Sequence, residues 1–433
     1  MLIHRRLSGE SAHRKIELPP DTIYLYLIAM RILLYSSFFI CLAASLPFFK
    51  GLEESNEKKL IKLGPQEYKI INENDKLSLK RRNVNFIDVT NHIPIEDAIE
   101  QGIVQNPKTP FLTRIFSFGS KQVSFLEKKI PVYNYPTAVD NFEEVTKIFK
   151  RIDTDRMFNN LSKFTSFYTR YYKSKTGLES ADWLYETLST IIQPLDNNAK
   201  ITKFHHNGWD QYSIIVSIIG KLTDKVIAGA HQDSANLIFP NLMKAPGADD
   251  DGSGTVTLLE SLRLIVEEYV AGRFVPKNTL EFHFYSAEEG GLLGSLDVFT
   301  SYSANNEVVL GMLQQDMTGY TASTVDAGIE PHVGLITDYT TVNLNNFLKL
   351  IIDSYLSITY HETSCGYACS DHSSALENGY PSGFVIESEF KYVSKYIHSA
   401  MDTIDRLDWN HIREHVKLTT AYAYELGLAT NLH

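Results

Sequence analysis

From about residue 213 to 428 the chain alternates short apolar runs of strand length with longer stretches of helical period. That alternation limits the fold more than any other feature. Residues 213–220, 225–230, 280–285, 308–314, 332–336 and 383–386 read as strands. Residues 252–269, 342–356 and the closing 411–428 read as helices. Strands joined through helices must cross over, and crossovers lay strands side by side in parallel with helices on both faces. The expected fold is therefore α/β, a three-layer αβα sandwich with a mostly parallel central sheet. Upstream, Ile148, Ile152, Met157, Leu161 and Phe164 recur every three to five positions, so residues 140–188 are expected to be helical.

A sheet of this kind gathers its active site in the loops beyond the strand ends. Glu288 and Glu289 stand at such a place, between the 280–285 strand and a glycine-rich turn, in Ser286-Ala-Glu-Glu-Gly-Gly-Leu-Leu-Gly294. Two adjacent carboxylates cannot both be buried and ionised without a compensating positive charge. A metal ion supplies it, one carboxylate binding and the other left free to move a proton. The plainer alternative is two solvated glutamates opening a helix.

Four more segments set His or Asp in or beside a loop: His231-Gln-Asp233, the run Asp249 to Asp251, Asp316, and His398. Singly, each reads as a hydrogen-bonded histidine, a helix cap or a turn. The triple aspartate lacks the alternate spacing and distal glutamate of a calcium loop. Drawn together from loops after different strands, they have the makings of one site.

The segments in chain order are Gly229-Ala-His-Gln-Asp-Ser234, Pro246-Gly-Ala-Asp-Asp-Asp-Gly-Ser-Gly254, Ser286-Ala-Glu-Glu-Gly-Gly-Leu-Leu-Gly-Ser295, Gln315-Asp-Met-Thr318, Cys365-Gly-Tyr-Ala-Cys-Ser-Asp-His372, Ile386-Glu-Ser-Glu-Phe390 and Ile397-His-Ser-Ala-Met-Asp-Thr403. With Phe167-Tyr-Thr-Arg-Tyr-Tyr-Lys-Ser174 upstream, the chain resembles the secreted leucyl aminopeptidases of bacteria and fungi, zinc exopeptidases of peptidase family M28. The resemblance runs from about Val132 to Leu428. It implies two zinc ions per subunit bridged by Asp250, one held also by His231 and Asp316, the other by Glu289 and His398. It implies Glu288 as general base. Asp233, two residues beyond His231, is the natural partner to orient that imidazole. Tyr367 is implied as donor to the oxyanion, carried in the Cys365–Cys369 loop. Ile386 and Phe390 are implied near the wall of an apolar pocket for the N-terminal residue. Bacterial relatives carry an aromatic where this chain has Ile386, so the pocket is expected to differ in shape. The resemblance does not use His372 as a ligand.

The expected function is metal-dependent release of leucine or similar apolar residues from peptides with a free N-terminus. A glutaminyl cyclase-like transferase and a catalytically inactive receptor-type module are the alternatives on the same fold. A net charge of -11 with no basic patch argues against nucleic acid as a partner. A monomer is expected.

Three cysteines occur, Cys41, Cys365 and Cys369. The last two, four apart, read as a short disulfide in a secreted protein and as two thiols in a reducing compartment. Residues 1–45 hold an apolar run interrupted by Arg31. With Met30-Arg31, the following apolar stretch and Ala43-Ala-Ser45, it reads as a signal peptide. A membrane anchor, with the catalytic part in a lumenal or extracellular compartment, is the alternative. Residues 46–127 are expected to be a pro-segment, with an ordinary N-terminal extension as the alternative, and 128–433 the di-zinc catalytic domain. Asn160, in Asn160-Leu-Ser162, is the one glycosylation sequon.

Overall fold

Strand β6, Leu222–His231, runs through the middle of an eight-stranded sheet, and its last six residues are all buried. A strand covered by helices on both faces has no solvent side, which is why its sequence is a continuous apolar run. The same holds for β7, Asn278–Tyr285, buried along its whole length. The remaining strands are β4 (Ala199–Phe204), β5 (Ser213–Ile218), β8 (Val309–Gln315), β9 (Val333–Ile336), β10 (Tyr360–Thr363) and β11 (Ser382–Ile386), in the order β10-β9-β11-β8-β6-β7-β5-β4. The pairs β11/β8, β8/β6, β6/β7 and β9/β10 are parallel, while β9/β11, β5/β7 and β4/β5 are antiparallel.

Alternate residues sort to opposite faces, as the pleat requires. Ile214, Val216, Val226, Ala228, Leu280 and Phe282 enter a large core with the helices Gly254–Val270, Val342–Tyr355 and Trp409–Leu428. Ile215, Ile227, Tyr285 and Met312 face a smaller cluster with Val298 and Phe299 of the helix Leu293–Ala304. These two clusters make the three layers. Upstream, three helices (Phe142–Phe149, Thr154–Phe164 and Lys175–Ile192) fill the region expected to be helical.

The computed structural model describes residues 57–82, 84–104 and 128–433, all within one unit, Glu57–His433. The signal-peptide or anchor reading of residues 1–45, and parts of the expected pro-segment, lie outside the described residues. Among the described residues no helix is long and apolar enough to cross a membrane. Two strands, β4 and β10, were not among those expected. They are the two edge strands of the sheet, and their residues are at most partly buried, so they lack an apolar run. A second small sheet, β2-β1-β3, forms from Lys58–Gly64, Glu67–Asn72 and Ile87–Asp88. Its sequence is rich in lysine and glutamate, and few of its positions, Leu60 and Ile61 among them, are fully buried.

Candidate active site

Each strand of the central parallel group delivers one piece of the site at its C-terminal end. His231 is the last residue of β6, Glu288 and Glu289 follow β7, and Asp316 follows β8. Asp250 lies just before the helix Gly254–Val270, and His398 in the stretch beyond β11. From β6 the chain crosses first to β7 on one side and then to β8 on the other. That reversal opens a crevice at the ends of the strands, where ligands of α/β sheets bind.

The six residues converge. Asp250 turns one oxygen to each histidine: Oδ1 is 3.0 Å from His231 Nε2, and Oδ2 is 3.1 Å from His398 Nε2. Asp316 Oδ1 lies 3.6 Å from His231 Nε2, and Glu289 Oε2 3.2 Å from His398 Nε2. Two trios result, His231–Asp250–Asp316 and Asp250–Glu289–His398, sharing the aspartate. Ligand atoms about 2.0–2.2 Å from a tetrahedral zinc ion lie about 3.3 Å from one another, which these separations straddle. Asp316 Oδ1 is buried and has no hydrogen-bond partner among the described residues, although Oδ2 accepts from Ser370 Oγ at 2.6 Å. A buried carboxylate oxygen aimed into a nitrogen–oxygen donor set is satisfied by a cation, so the residues fit zinc.

The two adjacent glutamates differ electrostatically. Burial pushes Glu288 up to about 8, against the pull of Lys80 and His231. Burial acts on Glu289 as well, but His398 and Lys80 more than offset it and hold that carboxyl at about 2. The histidines are raised, because the facing carboxylates outweigh the burial that would keep the rings neutral.

A second layer of residues fixes these groups. Asp233 accepts the amides of Glu288 (3.0 Å) and Glu289 (3.2 Å) on its two carboxylate oxygens. Its backbone carbonyl, at 3.1 Å, meets His231 Nδ1, with the carboxylate farther off at 3.5 Å. Asp233 therefore orients the imidazole mainly through its backbone and the glutamate turn through its side chain. Asp402 accepts the amides of Asp249 (2.9 Å) and Asp250 (3.1 Å), and Asp251 accepts those of His231, Gly254 and Met317. Arg170, fully buried, donates to the carbonyls of Gln232, Pro246 and Gly247, tying the end of β6 to the aspartate loop. Asp402, Ser370 and Arg170 were not singled out from sequence, although all three lie inside motifs quoted there. Ala287, Leu292, Met317 and His398 have φ of 55–58°, the left-handed region. Non-glycine residues there cost about 1–3 kcal/mol each, strain that concentrates at functional sites.

An apolar wall adjoins the two trios. Ile386 is buried with Met317, Ile336 and Phe384, and Cys365, Cys369, Phe390 and Ile397 pack against them. Cys365 and Cys369 are joined in a disulfide. Tyr367, in that loop, lies edge-on to Phe390 with centroids 6.0 Å apart. Burial, and then the charge of Glu288, push its hydroxyl up to about 12, so it keeps its proton at neutral pH. His372 is buried beside Phe384 and outside both trios, its pKa pushed down to about 3 by burial. Asn160 is half-buried within the helix Thr154–Phe164. A third cluster, His332, His361 and Glu389, forms where β9 and β10 meet the chain beyond β11. There the His332 Nε2 lone pair already accepts the Glu389 amide at 3.3 Å.

Comparison with known proteins gives a consistent answer. The profile of Peptidase family M28 matches residues 213–423. A Saccharomyces cerevisiae protein named as a probable aminopeptidase is 50% identical over 372 residues, covering 85% of this chain and 92% of the relative. Leucine aminopeptidase 1 of Penicillium rubens is 44% identical over 381 residues, covering 87% and 92%. Among solved structures, the LapA aminopeptidase of Legionella pneumophila superposes with a TM-score of 0.71 at 27% identity, over 86% of this chain and 99% of that one. An aligned length of 372 residues exceeds the stretch from 128 to 433, so the likeness reaches into the N-terminal segment.

Proposed function

The chain belongs to peptidase family M28 and is a zinc-type aminopeptidase acting on peptides, and we propose that it removes leucine and similar apolar residues from free N-termini with two zinc ions bridged by Asp250. The observation that carries the two-ion reading is the bridging posture of Asp250, one oxygen toward each histidine. His231 and Asp316 would complete one site, Glu289 and His398 the other. Bound zinc would supply Lewis acidity toward the peptide carbonyl and toward water.

The chain's own groups do the rest. Glu288 takes the proton of the attacking water and delivers it to the leaving amine, a role open to the glutamate of the pair that is not turned to a histidine. The protonated hydroxyl of Tyr367 donates to the developing oxyanion. Ile386 and Phe390 bound the apolar cluster beside the site and favour an aliphatic first residue. A transferase with a single metal would have no use for the second trio, which disfavours the cyclase alternative. The Cys365–Cys369 bridge supports an oxidising compartment and hence secretion.

Hydrolysis of a leucine-linked chromogenic amide, with and without chelator, tests the reading. Release should cease on chelation and return with zinc. No metal-dependent release from the wild-type chain would overturn it.

A further inference from the structure

At Gly334 of β9 a side chain would run into the Ser388 carbonyl, so glycine there lets the chain leaving β11 lie close against the strand. Glu389, the next residue, is thereby laid beside two histidines. His332, just before β9, and His361, in the edge strand β10, come from neighbouring parallel strands and stack with ring centroids 3.8 Å apart. Glu389 Oε2 lies 3.1 Å from His361 Nδ1 and 3.8 Å from His332 Nε2. One ligand atom from each of the three lies within 4.8 Å of the others. Ligand atoms on a tetrahedral zinc ion lie about 3.3 Å from one another, so small movements would close the set. His361, 41% exposed, has room to make them.

The donors are prepared for a cation. His332 donates from Nδ1 to the Glu330 carbonyl at 2.9 Å, which puts its lone pair on Nε2, the nitrogen facing Glu389. A bond of that kind is the usual support of a metal-binding imidazole. Burial, with the neighbouring His361, outweighs the bond to Glu330 and holds the ring's pKa below its ordinary value. Burial raises the Glu389 carboxyl, but bonds from His361 and Lys391 outweigh it and keep the group ionised. Two imidazoles and one carboxylate with no thiolate suit zinc and leave a fourth position for water; calcium and magnesium prefer oxygen alone.

The Glu389 amide is what a cation would displace. It donates to the same His332 Nε2 lone pair at 3.3 Å, a long bond. Its release would move the backbone that leads into Phe390, whose amide donates to Thr363 Oγ1 at 3.1 Å and whose ring meets Tyr367 edge-on. We propose that His332, His361 and Glu389 form a third divalent-metal site of zinc type, whose filling shifts Phe390 at the pocket wall and weakens binding of the substrate's first side chain. The coupling rests on the assignment of Phe390 to that wall; the cation site does not. Lys391, its ammonium 3.2 Å from Glu389 Oε1, opposes the cation.

The test dialyses the full chain against micromolar free zinc and counts the bound metal. The wild type should hold one equivalent more than His361→Ala and one more than Glu389→Gln. Both side chains are partly exposed, so neither change should disturb folding. Lys391→Met removes the opposing charge and should bind that equivalent more tightly, by about fivefold or more, the low end of coupling between sites. Equal zinc counts in the wild type and both variants overturn the site. Free leucine, followed by calorimetry, reads the coupling. It should bind the wild type about fivefold more weakly once the third equivalent is in place, and His361→Ala with one affinity throughout. Leucine binding that ignores the third equivalent overturns the coupling. Leucine that binds no form of the protein would sink the pocket reading and leave the third site standing on the zinc count. A His361→Ala protein holding one zinc rather than two would sink the two-ion reading and leave the difference between the proteins intact.

Discussion

Glu288 and Glu289 are neighbours in the chain, yet they face different surroundings. Glu289 points at His398 and shares its charge, while Glu288 is buried with less compensation. Glu288→Ala should therefore lower turnover by about 10²–10⁴-fold while zinc content stays at the wild-type level. Elemental analysis beside the kinetics checks both halves. Asp250→Ala should lose both metals, since each trio needs that carboxylate; retention of one zinc would contradict the bridge. Asp402→Ala removes the acceptor for the Asp249 and Asp250 amides and should cut zinc affinity by about 10–100-fold, the usual effect of losing a group that orients a ligand. At this scale the resemblance of motifs chose Asp250 among three aspartates, and the structure supplies a physical difference. Asp249 Oδ1 accepts the Gly319 amide and the two oxygens of Asp251 accept three amides between them, whereas Asp250 turns both of its own to histidines.

Among the elements, the central strands were legible because burial on both faces leaves an uninterrupted apolar signature. The small N-terminal sheet was not, because few of its positions are buried and those pack against residues far along the chain, Leu292, Leu296 and Ala368 among them. A shorter-range pair within the segment sets a pH response. Burial pushes the Asp88 carboxyl up, but the Lys76 ammonium at 2.7 Å and the bonds from Thr90 outweigh it and hold the group below the usual carboxylate range. The folded segment thus binds that proton less readily than the unfolded one, so its stability rises with pH through the carboxylate range. Stabilisation from this pair is present above pH about 4 and is lost as the pH falls through the depressed value. Protease resistance of residues 57–104 should hold from neutrality to about pH 4.5 and decline below pH 4. Lys76→Met should flatten that dependence.

For the whole molecule, the site joins the ends of three parallel strands to loops 167 residues apart, from His231 to His398. Metal binding should therefore stabilise the fold globally. Zinc at one hundred times its dissociation constant contributes about 2.7 kcal/mol per site, provided the unfolded chain does not bind it. Chelation should lower the thermal midpoint, and zinc added back should restore it; an unchanged midpoint would mean that the trios hold no metal in the folded chain.

The sequence by itself determined the αβα architecture, since strand and helix periods are local properties that any window of the chain displays. It also placed His231, Glu288, Glu289 and Asp316 beyond the ends of successive strands, where an α/β sheet builds its crevice. Tertiary structure alone decided what meets at that crevice. Lys80 sits 209 residues from Glu289, Ser370 bonds Asp316 across 54, and Asp402 holds the aspartate loop across 153. None of these pairings leaves a periodic trace, because a single buried polar contact constrains two side chains and nothing in the sequence between them.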